Sequence, residues 1–568
     1  MKAVLCSFKL FEELSKMSNK VIIVAGNGFS GLINEHTSSP SIIETIQDIY
    51  TPLSINGKTV EKLSHLKKVI HESNAGKDIR KVEDKNISKI TQVTNLNGIV
   101  LYNYLQQKGF SPIVINDFEE DYSLFVNTLK EELLAIVIST TFIPFKQHLT
   151  FIVNAIRQMT TTVPVIVGGP MVHLSFSIFQ DHRAYTDREI LKKLYLFFEL
   201  DKDIDYYIFD RYGLKTLALL LRKLIQKQDV ASVPNLGVTT DNAIYFTQHR
   251  PEIPDIADEF INWNKVPDTL LRDTVSLRGS FGCPFKCKFC NFFFFSPQMM
   301  IKPRDMLMKE LDQLSSRRSV KHISFVDDNM LLNHKEVETF CQDFIDNDYP
   351  FTWSSFIRPD SINKNNIKLL ANSGANLLTF GVESGDRVIL SNMNKKENLD
   401  HTLAVINGLG ESNISTSTTL LVGFPGESSE TVGNTIDFLN QYKSSGTALH
   451  WFSPFIFMML PKVRIEEEKE KYGLEGFILN WKHHTMDSLE AAKQLKRLML
   501  EVTDVFYPYS NEHLFADQIL SVSPLDAIKV IKLTSEHVKN QIHYKKDNHS
   551  QWTKRNKFIV QQISEILA

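Results

Sequence analysis

Short, nearly unbroken apolar segments alternate with longer amphipathic ones in two separate runs of this chain. Strands of that kind must be covered on both faces, which means a parallel sheet flanked by helices. The first run predicts a strand at 20–24, a glycine-rich loop at 25–32, and a helix at 95–108 that stops at Gly109. Strands at 111–116, 134–139, 163–167 and 203–209 follow, with helices at 121–133, 145–159 and 214–227. The second run predicts strands at 274–277, 322–326, 351–356, 377–382, 414–422 and 450–457, with helices between them. Six strand–helix units make a partial or open relative of the eight-fold barrel, whose active site lies at the carboxyl ends of its strands.

The rest of the chain is less regular. Residues 35–92 are polar and weakly periodic, an insertion with some helix. Residues 229–270 hold a small hairpin at 237–246 and a proline-bearing stretch, read as a linker. After about 475 the chain reads as helical and more basic, most clearly at 492–505 and 524–542. The expected organisation is α/β. It comprises an N-terminal strand and variable insertion (1–93), a Rossmann-like domain (94–228, with strand 20–25), a linker (229–270), a partial (β/α)6 barrel (271–470) and a C-terminal helical domain (471–568).

Three of the chain's 5 cysteines fall within eight residues: Cys283, Cys287 and Cys290, spaced C-x3-C-x2-C. Sulfur ligands suit an iron–sulfur centre. Three of them leave one position open, which fits an iron–sulfur cube with one iron not held by protein. Structural zinc and electron-transfer clusters are usually closed by a fourth protein ligand. This loop follows the first strand of the second run, at the carboxyl end.

Ligands of doubly covered sheets also bind at carboxyl ends. In the first run those positions carry Gly28, Ser139, Thr140, Thr141, Gly168, Gly169, Pro170 and Gly213. Small and hydroxyl side chains admit a large ligand and hydrogen-bond its polar rim. Each alone is an ordinary turn residue; their recurrence after several strands points to a ligand.

A net charge of -3 gives no support for nucleic-acid or membrane-surface binding. No charge-free stretch of about 18 apolar residues predicts a membrane span. Few scattered thiols and no secretory leader pattern predict a cytoplasmic protein.

With these residues in view, the chain resembles the radical S-adenosylmethionine (SAM) enzymes. There, three cysteines hold a [4Fe–4S] cluster and the open iron is chelated by SAM. The resemblance implies SAM contacts from Phe289, before the third cysteine, and from Asp327 and Asp328 in Phe325-Val-Asp-Asp-Asn329. It implies others from Glu383 and Ser384 in Gly381-Val-Glu-Ser-Gly385, and from Gly423 and Pro425 in Leu421-Val-Gly-Phe-Pro-Gly-Glu427. The usual Gly-Gly-Glu is absent. Glu383 corresponds to the carboxylate that often accepts from the ribose hydroxyls.

The first run resembles the cobalamin-binding domain of the cobalamin-dependent class, which makes the residues from Gly28 to Gly213 cobalamin contacts. It lacks Asp-x-His-x-x-Gly, and Phe209-Asp-Arg-Tyr-Gly213 replaces the usual Gly-Glu-Gly-Glu. Asn480-Trp-Lys-His-His-Thr-Met-Asp-Ser488 is similar to a stretch of the phosphinate P-methyltransferase-like branch.

The resemblance implies a cobalamin-dependent radical SAM methyltransferase. Such an enzyme cleaves SAM to a 5′-deoxyadenosyl radical and uses methylcobalamin to methylate an unactivated carbon or a phosphinate. His483, His484 and Arg358 are the candidate catalytic residues, and Asp487 either orients a substrate amine or caps the next helix. An external one-electron reductant of flavodoxin or ferredoxin type is expected, with a small-molecule or peptide substrate. The alternatives are a cobalamin-binding radical SAM enzyme of rearrangement, cyclisation or epimerisation, and a non-catalytic cobalamin or iron–sulfur sensor.

Overall fold

A computed structural model of the chain describes residues 18–26, 38–46, 49, 53–55, 58–60, 66, 69, 93–181, 188–196, 198, 202–503, 505–507, 522–544 and 549–567. It divides into two units: Met1–Leu32, Thr94–Leu271 and Lys302–Leu314 form one, and Ile33–Val93, Arg272–Ile301 and Ser315–Ala568 the other.

The first unit is built on seven strands: β1 (Lys20–Gly26), β2 (Ser111–Ile115), β3 (Ala135–Phe142), β4 (Val165–Gly168), β5 (Tyr206–Ile208), β6 (Leu236–Thr239) and β7 (Ile244–Phe246). They lie in the order β7-β6-β5-β4-β3-β1-β2. The first five are parallel. The hairpin expected between modules, β6 and β7, extends this sheet antiparallel to β5. Val21 to Ala25 are completely buried, as an apolar run covered on both faces demands. The chain order reverses between β1 and β3, so the carboxyl ends of these two strands flank a topological switch point. Helix Leu96–Gln107 packs tightly there, because Gly98 leaves room for the Ala25 and Val114 side chains.

The second unit carries β8 (Thr274–Leu277), β9 (His322–Phe325), β10 (Thr352–Phe356), β11 (Ala375–Glu383), β12 (Ser415–Val422) and β13 (His450–Ile456). Neighbours in sequence are neighbours in space and all are parallel, the singly wound pattern of a barrel segment. Helices His334–Asp346, Lys364–Asn372, Leu399–Glu411 and Ser429–Leu439 each begin on a side-chain cap, from Asn333, Asn363, Asn398 and Ser428.

Two expectations change. Thr140 and Thr141 lie inside β3 rather than after it, because its pairing with β1 resumes at Gly26 and Phe142 past a register shift. The region after 475 opens with a small antiparallel sheet before its helices, formed by Glu475–Phe477, Asn480–His483 and Met486–Asp487. Positive φ at Gly473 ends the preceding helix and at Ile478 makes the first turn, and alternating burial of Trp481 and His483 fits a strand. Helices Ser488–Glu501, Pro524–Tyr544 and His549–Leu567 follow. The described part of the insertion packs onto this end of the chain. Leu53, Leu66 and Val69 share a cluster with Trp451, Val530, Ile531, Ile559 and Ile563.

Candidate active site

The cysteine loop leaves β8 and is pinned on every side. Asp327 accepts hydrogen bonds from the Gly279 N–H at 3.1 Å, the Ser280 hydroxyl at 2.6 Å and the Ser280 N–H. Asp328 accepts from the Gly282 N–H at 2.9 Å. Asn394 Nδ2 donates to the Lys286 carbonyl (2.8 Å), and the Lys288 N–H to the Met393 carbonyl (2.9 Å). The Ile465 N–H donates to the Lys288 carbonyl at 3.0 Å, and Lys288 Nζ pairs with Glu468 at 2.5 Å. The Arg358 guanidinium stacks 4.1 Å from the centre of the Phe285 ring.

These contacts give Asp327 and Asp328 another task than the resemblance implies. Their carboxylates hold the backbone entering the cysteine loop. Asp327→Ala would leave three donors of a buried segment unmet, at about 1.5–3 kcal/mol for each bond to a charged group. We expect a melting temperature well below wild type and poor iron retention after reconstitution, with Asp327→Asn milder. Equal melting would refute the assignment.

The three thiols are half-buried and near enough to act on one another's charge. Burial raises all three, Cys290 to about 12. Lys395 and Arg358 oppose this at Cys287 and Cys283, and the Phe292 N–H donates to Cys290 Sγ at 3.4 Å. Among the described residues no three His, Cys, Asp or Glu side chains converge on a single metal ion. A cube takes each thiolate on a different iron, so the donor set fits a cluster rather than one ion.

Glu383 ends β11 at a bulge, where the register with β12 shifts after Gly381. Its φ of 70° turns the chain out of the strand. A Cβ at Gly381 would come 2.5 Å from Glu383 Oε1 and 3.3 Å from Lys395 Nζ, so the missing side chain makes room for both groups. Burial pushes the Glu383 carboxyl up to about 7, with Lys395 the main opposing influence. Ser384 is buried; its hydroxyl shares a bond with Thr435 and accepts from the Asp386 N–H, so it shapes the turn.

The β12 turn comes to the same place. The Phe289 ring meets Phe424 edge-on at 6.5 Å. The Pro425 carbonyl accepts from Asn392 at 3.5 Å, and Gly423 donates its N–H to Glu427. Burial pushes Glu427 up to about 8, against the Gly423 bond. A carboxyl that binds its proton more tightly folded than unfolded stabilises the fold below its ordinary value of 4.5. That contribution is lost as pH rises through about 8. Glu427→Gln should flatten the decline of melting temperature between pH 6 and 9; an unchanged slope would contradict this.

His483 is buried, with Nε2 bonded to the Gly423 carbonyl at 3.2 Å and its ring stacked on Trp481 at 5.2 Å. His484 is exposed, and its N–H donates to the Tyr472 carbonyl at 2.9 Å. Arg358 is buried and bound to Asp360 at 3.1 Å, Glu397 at 3.5 Å and the Lys396 carbonyl at 2.6 Å, so it is structural on three sides. Asp487 caps helix Ser488–Glu501 through the Glu490 N–H at 2.8 Å. Sequence reasoning missed Asn394, Lys395 and Glu397. The only signal was a polar run, 391–397, after the Glu383 turn, and nothing in it reveals burial.

In the first unit Gly28 lies outside the described residues. Thr140 Oγ1 donates to the Gly168 carbonyl (3.0 Å) and accepts from the Met171 N–H. Gly169, at φ 108°, lies against that hydroxyl, and Pro170 begins helix Pro170–Gln180. Gly213, at φ 66°, precedes helix Leu214–Ile225. Ser139 and Thr141 share a hydroxyl bond of 3.1 Å. Asn97, which the sequence did not single out, donates to Ser139 Oγ and the Ala25 carbonyl across the switch point. Its Oδ1 is buried without a hydrogen-bond partner among the described residues. A ligand rimmed with amide donors fits that acceptor. His173 turns to the Phe209 carbonyl at 3.0 Å.

Residues 277–439 match the radical SAM superfamily. This span is a radical SAM domain. Among curated relatives, an anaerobic magnesium-protoporphyrin IX monomethyl ester cyclase of Rubrivivax gelatinosus is 21% identical over 41% of this chain and 43% of its own. A bacteriochlorophyllide d C-12(1)-methyltransferase of Chlorobaculum tepidum is 26% identical over 31% and 39%. The chain thus spans under half the length of these relatives. The radical SAM methyltransferase TsrM of Kitasatospora setae, solved with cobalamin and a [4Fe–4S] cluster, shares the fold at a TM-score of 0.54 and 15% identity, over 97% of this chain and 100% of that one. The cobalamin-dependent radical enzyme OxsB, solved with aqua-cobalamin and SAM, does so at 0.56 and 12%, over 98% and 76%. The radical SAM span thus begins at the end of β8 and takes in the cysteine loop, Glu383 and the Gly423 turn. Among the described residues no helix is long and apolar enough to cross a membrane.

Proposed function

We propose that this chain is a cobalamin-dependent radical SAM methyltransferase acting on an unactivated carbon or a phosphinate of a small molecule or peptide. One observation carries the reading. The cysteine loop, Glu383 and the Gly423 turn are tied together at the carboxyl end of one parallel sheet. Cys283, Cys287 and Cys290 would hold the [4Fe–4S] cluster; Glu383, Phe289 and the 423–425 backbone would hold SAM. In the first unit Ser139, Thr141, Asn97 and the 168–170 turn would hold cobalamin. When bound, these groups supply one-electron reduction, a carbon-centred radical and a transferable methyl group.

The chain's own residues do the positioning. Glu383 accepts from hydroxyl donors, and its value of about 7 places it at the edge of ionisation near neutral pH. Phe289 and Phe424 give the site an apolar wall. His483 orients the Gly423 carbonyl rather than a substrate. The cobalamin-binding domain would take in strand 20–25, residues 94–228 and the hairpin β6–β7 that extends their sheet, with a barrel over 271–470 and a C-terminal domain over 471–568. The one-electron donor would be an external flavodoxin or ferredoxin type protein.

The test uses the full chain, reconstituted anaerobically with iron, sulfide and cobalamin. With SAM labelled in its methyl group and a strong reductant, label should appear on cobalamin and 5′-deoxyadenosine should accumulate. Deoxyadenosine without label would favour a rearrangement. Neither product from protein with an intact cluster would end the enzyme reading.

A further inference from the structure

We propose that Lys395 is a positioning residue whose buried ammonium raises the reduction potential of the cluster held by the cysteine loop. This rests on the cluster reading above and adds a residue that sets how easily the cluster takes an electron.

The geometry begins with the turn at 393–397. Its backbone and one side chain grip the cysteine loop, through the Met393 carbonyl on Lys288 and Asn394 Nδ2 on the Lys286 carbonyl. The next residue, Lys395, is anchored by its own N–H to the Leu390 carbonyl at 2.8 Å. Its side chain is buried, 9% exposed, and ends beside Gly381 and the Glu383 carboxyl. Burial and the two facing carboxylates hold the ammonium on the side of the turn that carries the thiol loop.

Two cations act on the thiols, Lys395 ahead of Arg358 at Cys287 and Arg358 ahead of Lys395 at Cys283. Both stand among carboxylates: Arg358 is tied to Asp360, Glu397 and a carbonyl, and Lys395 faces Glu383 and Glu397. Lys395 is the one carried on the turn that grips the cysteine loop. Three thiolates make the cluster site negative, and an added electron makes it more so. A fixed positive charge in a low-dielectric site favours the more negative state, which raises the potential. Placing an ammonium there costs desolvation, which the neighbouring carboxylates offset. The arrangement is that of a second layer tuning a metal centre.

The test is an EPR-monitored redox titration of the reconstituted full chain at pH 8.5, above the Glu383 value of about 7. Lys395→Met keeps length and burial and removes charge; Lys395→Arg restores charge. We expect Lys395→Met to load iron and sulfide like wild type and to shift the midpoint to more negative potential, with Lys395→Arg returning it toward wild type. An unchanged Lys395→Met midpoint overturns the proposal, as does a Lys395→Arg midpoint that stays with Lys395→Met. If Lys395→Met loads no cluster, Lys395→Gln, which removes the charge but keeps a donor for Glu383, decides. Its midpoint should again be more negative than wild type, whereas no shift overturns the proposal. Failure of the wild type to form any cluster would instead end the cluster reading.

Discussion

Cys287→Ala should abolish 5′-deoxyadenosine formation and iron loading while leaving the fold nearly as stable as wild type. The thiol is half-buried and its environment holds it protonated in the metal-free protein, since burial raises its pKa. Removing one sulfur from a partly exposed loop position deletes little packing. The loop remains fixed by Asp327, Asp328, Asn394, Lys288 and Arg358, none of which bonds through Cys287. The nearby carboxylates Asp328 and Glu383 are poor substitutes for a thiolate on iron–sulfur, so a cluster held by three thiolates loses its hold with one of them.

Cys341→Ala is the opposite case. That thiol is completely buried in helix His334–Asp346, so its loss should lower the melting temperature and leave iron content and deoxyadenosine yield per folded chain unchanged. The measurements are iron and sulfide per chain, product by chromatography, and a thermal melt. A Cys287→Ala protein that still cleaves SAM would remove the cluster from the loop. Because loading must strip protons from three thiols whose pKa values burial has raised, it should also be more complete at pH 9 than at pH 7.

The strands were legible because burial on both faces forces apolar runs, and β9, β10, β12 and β13 fall within a residue or so of their expected limits. The cysteine spacing and the glycine-bounded turns at Glu383 and Gly423 were legible for a like reason: sharp turns and close approach restrict residue type locally. What sequence hid was the partner of each polar group. Asp327 and Asp328 stand where a SAM contact was expected, yet both Asp327 oxygens and one Asp328 oxygen accept from loop groups 46 to 48 residues earlier. Lys395 and the Glu397 side chain are buried within a stretch that looks solvated and is otherwise largely exposed. The small sheet after 473 was missed because its strands are only two to four residues long and its first turn is made by Ile478 at positive φ, which no turn residue announces.

Gly423→Ala should be strongly destabilising. The residue has φ 93°, a region that costs an L side chain roughly 1–3 kcal/mol. The added Cβ would also stand 2.5 Å from Trp481 Cη2 and 2.6 Å from Ala491 Cβ. Neither neighbour can yield cheaply. Trp481 is buried, its indole N–H bonds the Phe457 carbonyl at 2.6 Å, and its ring is stacked on His483. Ala491 is a completely buried methyl fixed to the backbone of helix Ser488–Glu501. Overpacking of this kind costs roughly 1–3 kcal/mol in addition to the strain. We therefore expect a loss of about 3 kcal/mol or more, read as a clear fall in melting temperature of the metal-free chain. Gly109→Ala is the control, with a similar φ of 88° but nothing within 4 Å, so it isolates backbone strain. Equal losses in the two variants would mean the Trp481 contact carries no weight. A larger loss at Gly423 would show that the turn is held from behind by Trp481 and Ala491, which is why its carbonyl and the Phe424 ring stay in place beside the cysteine loop.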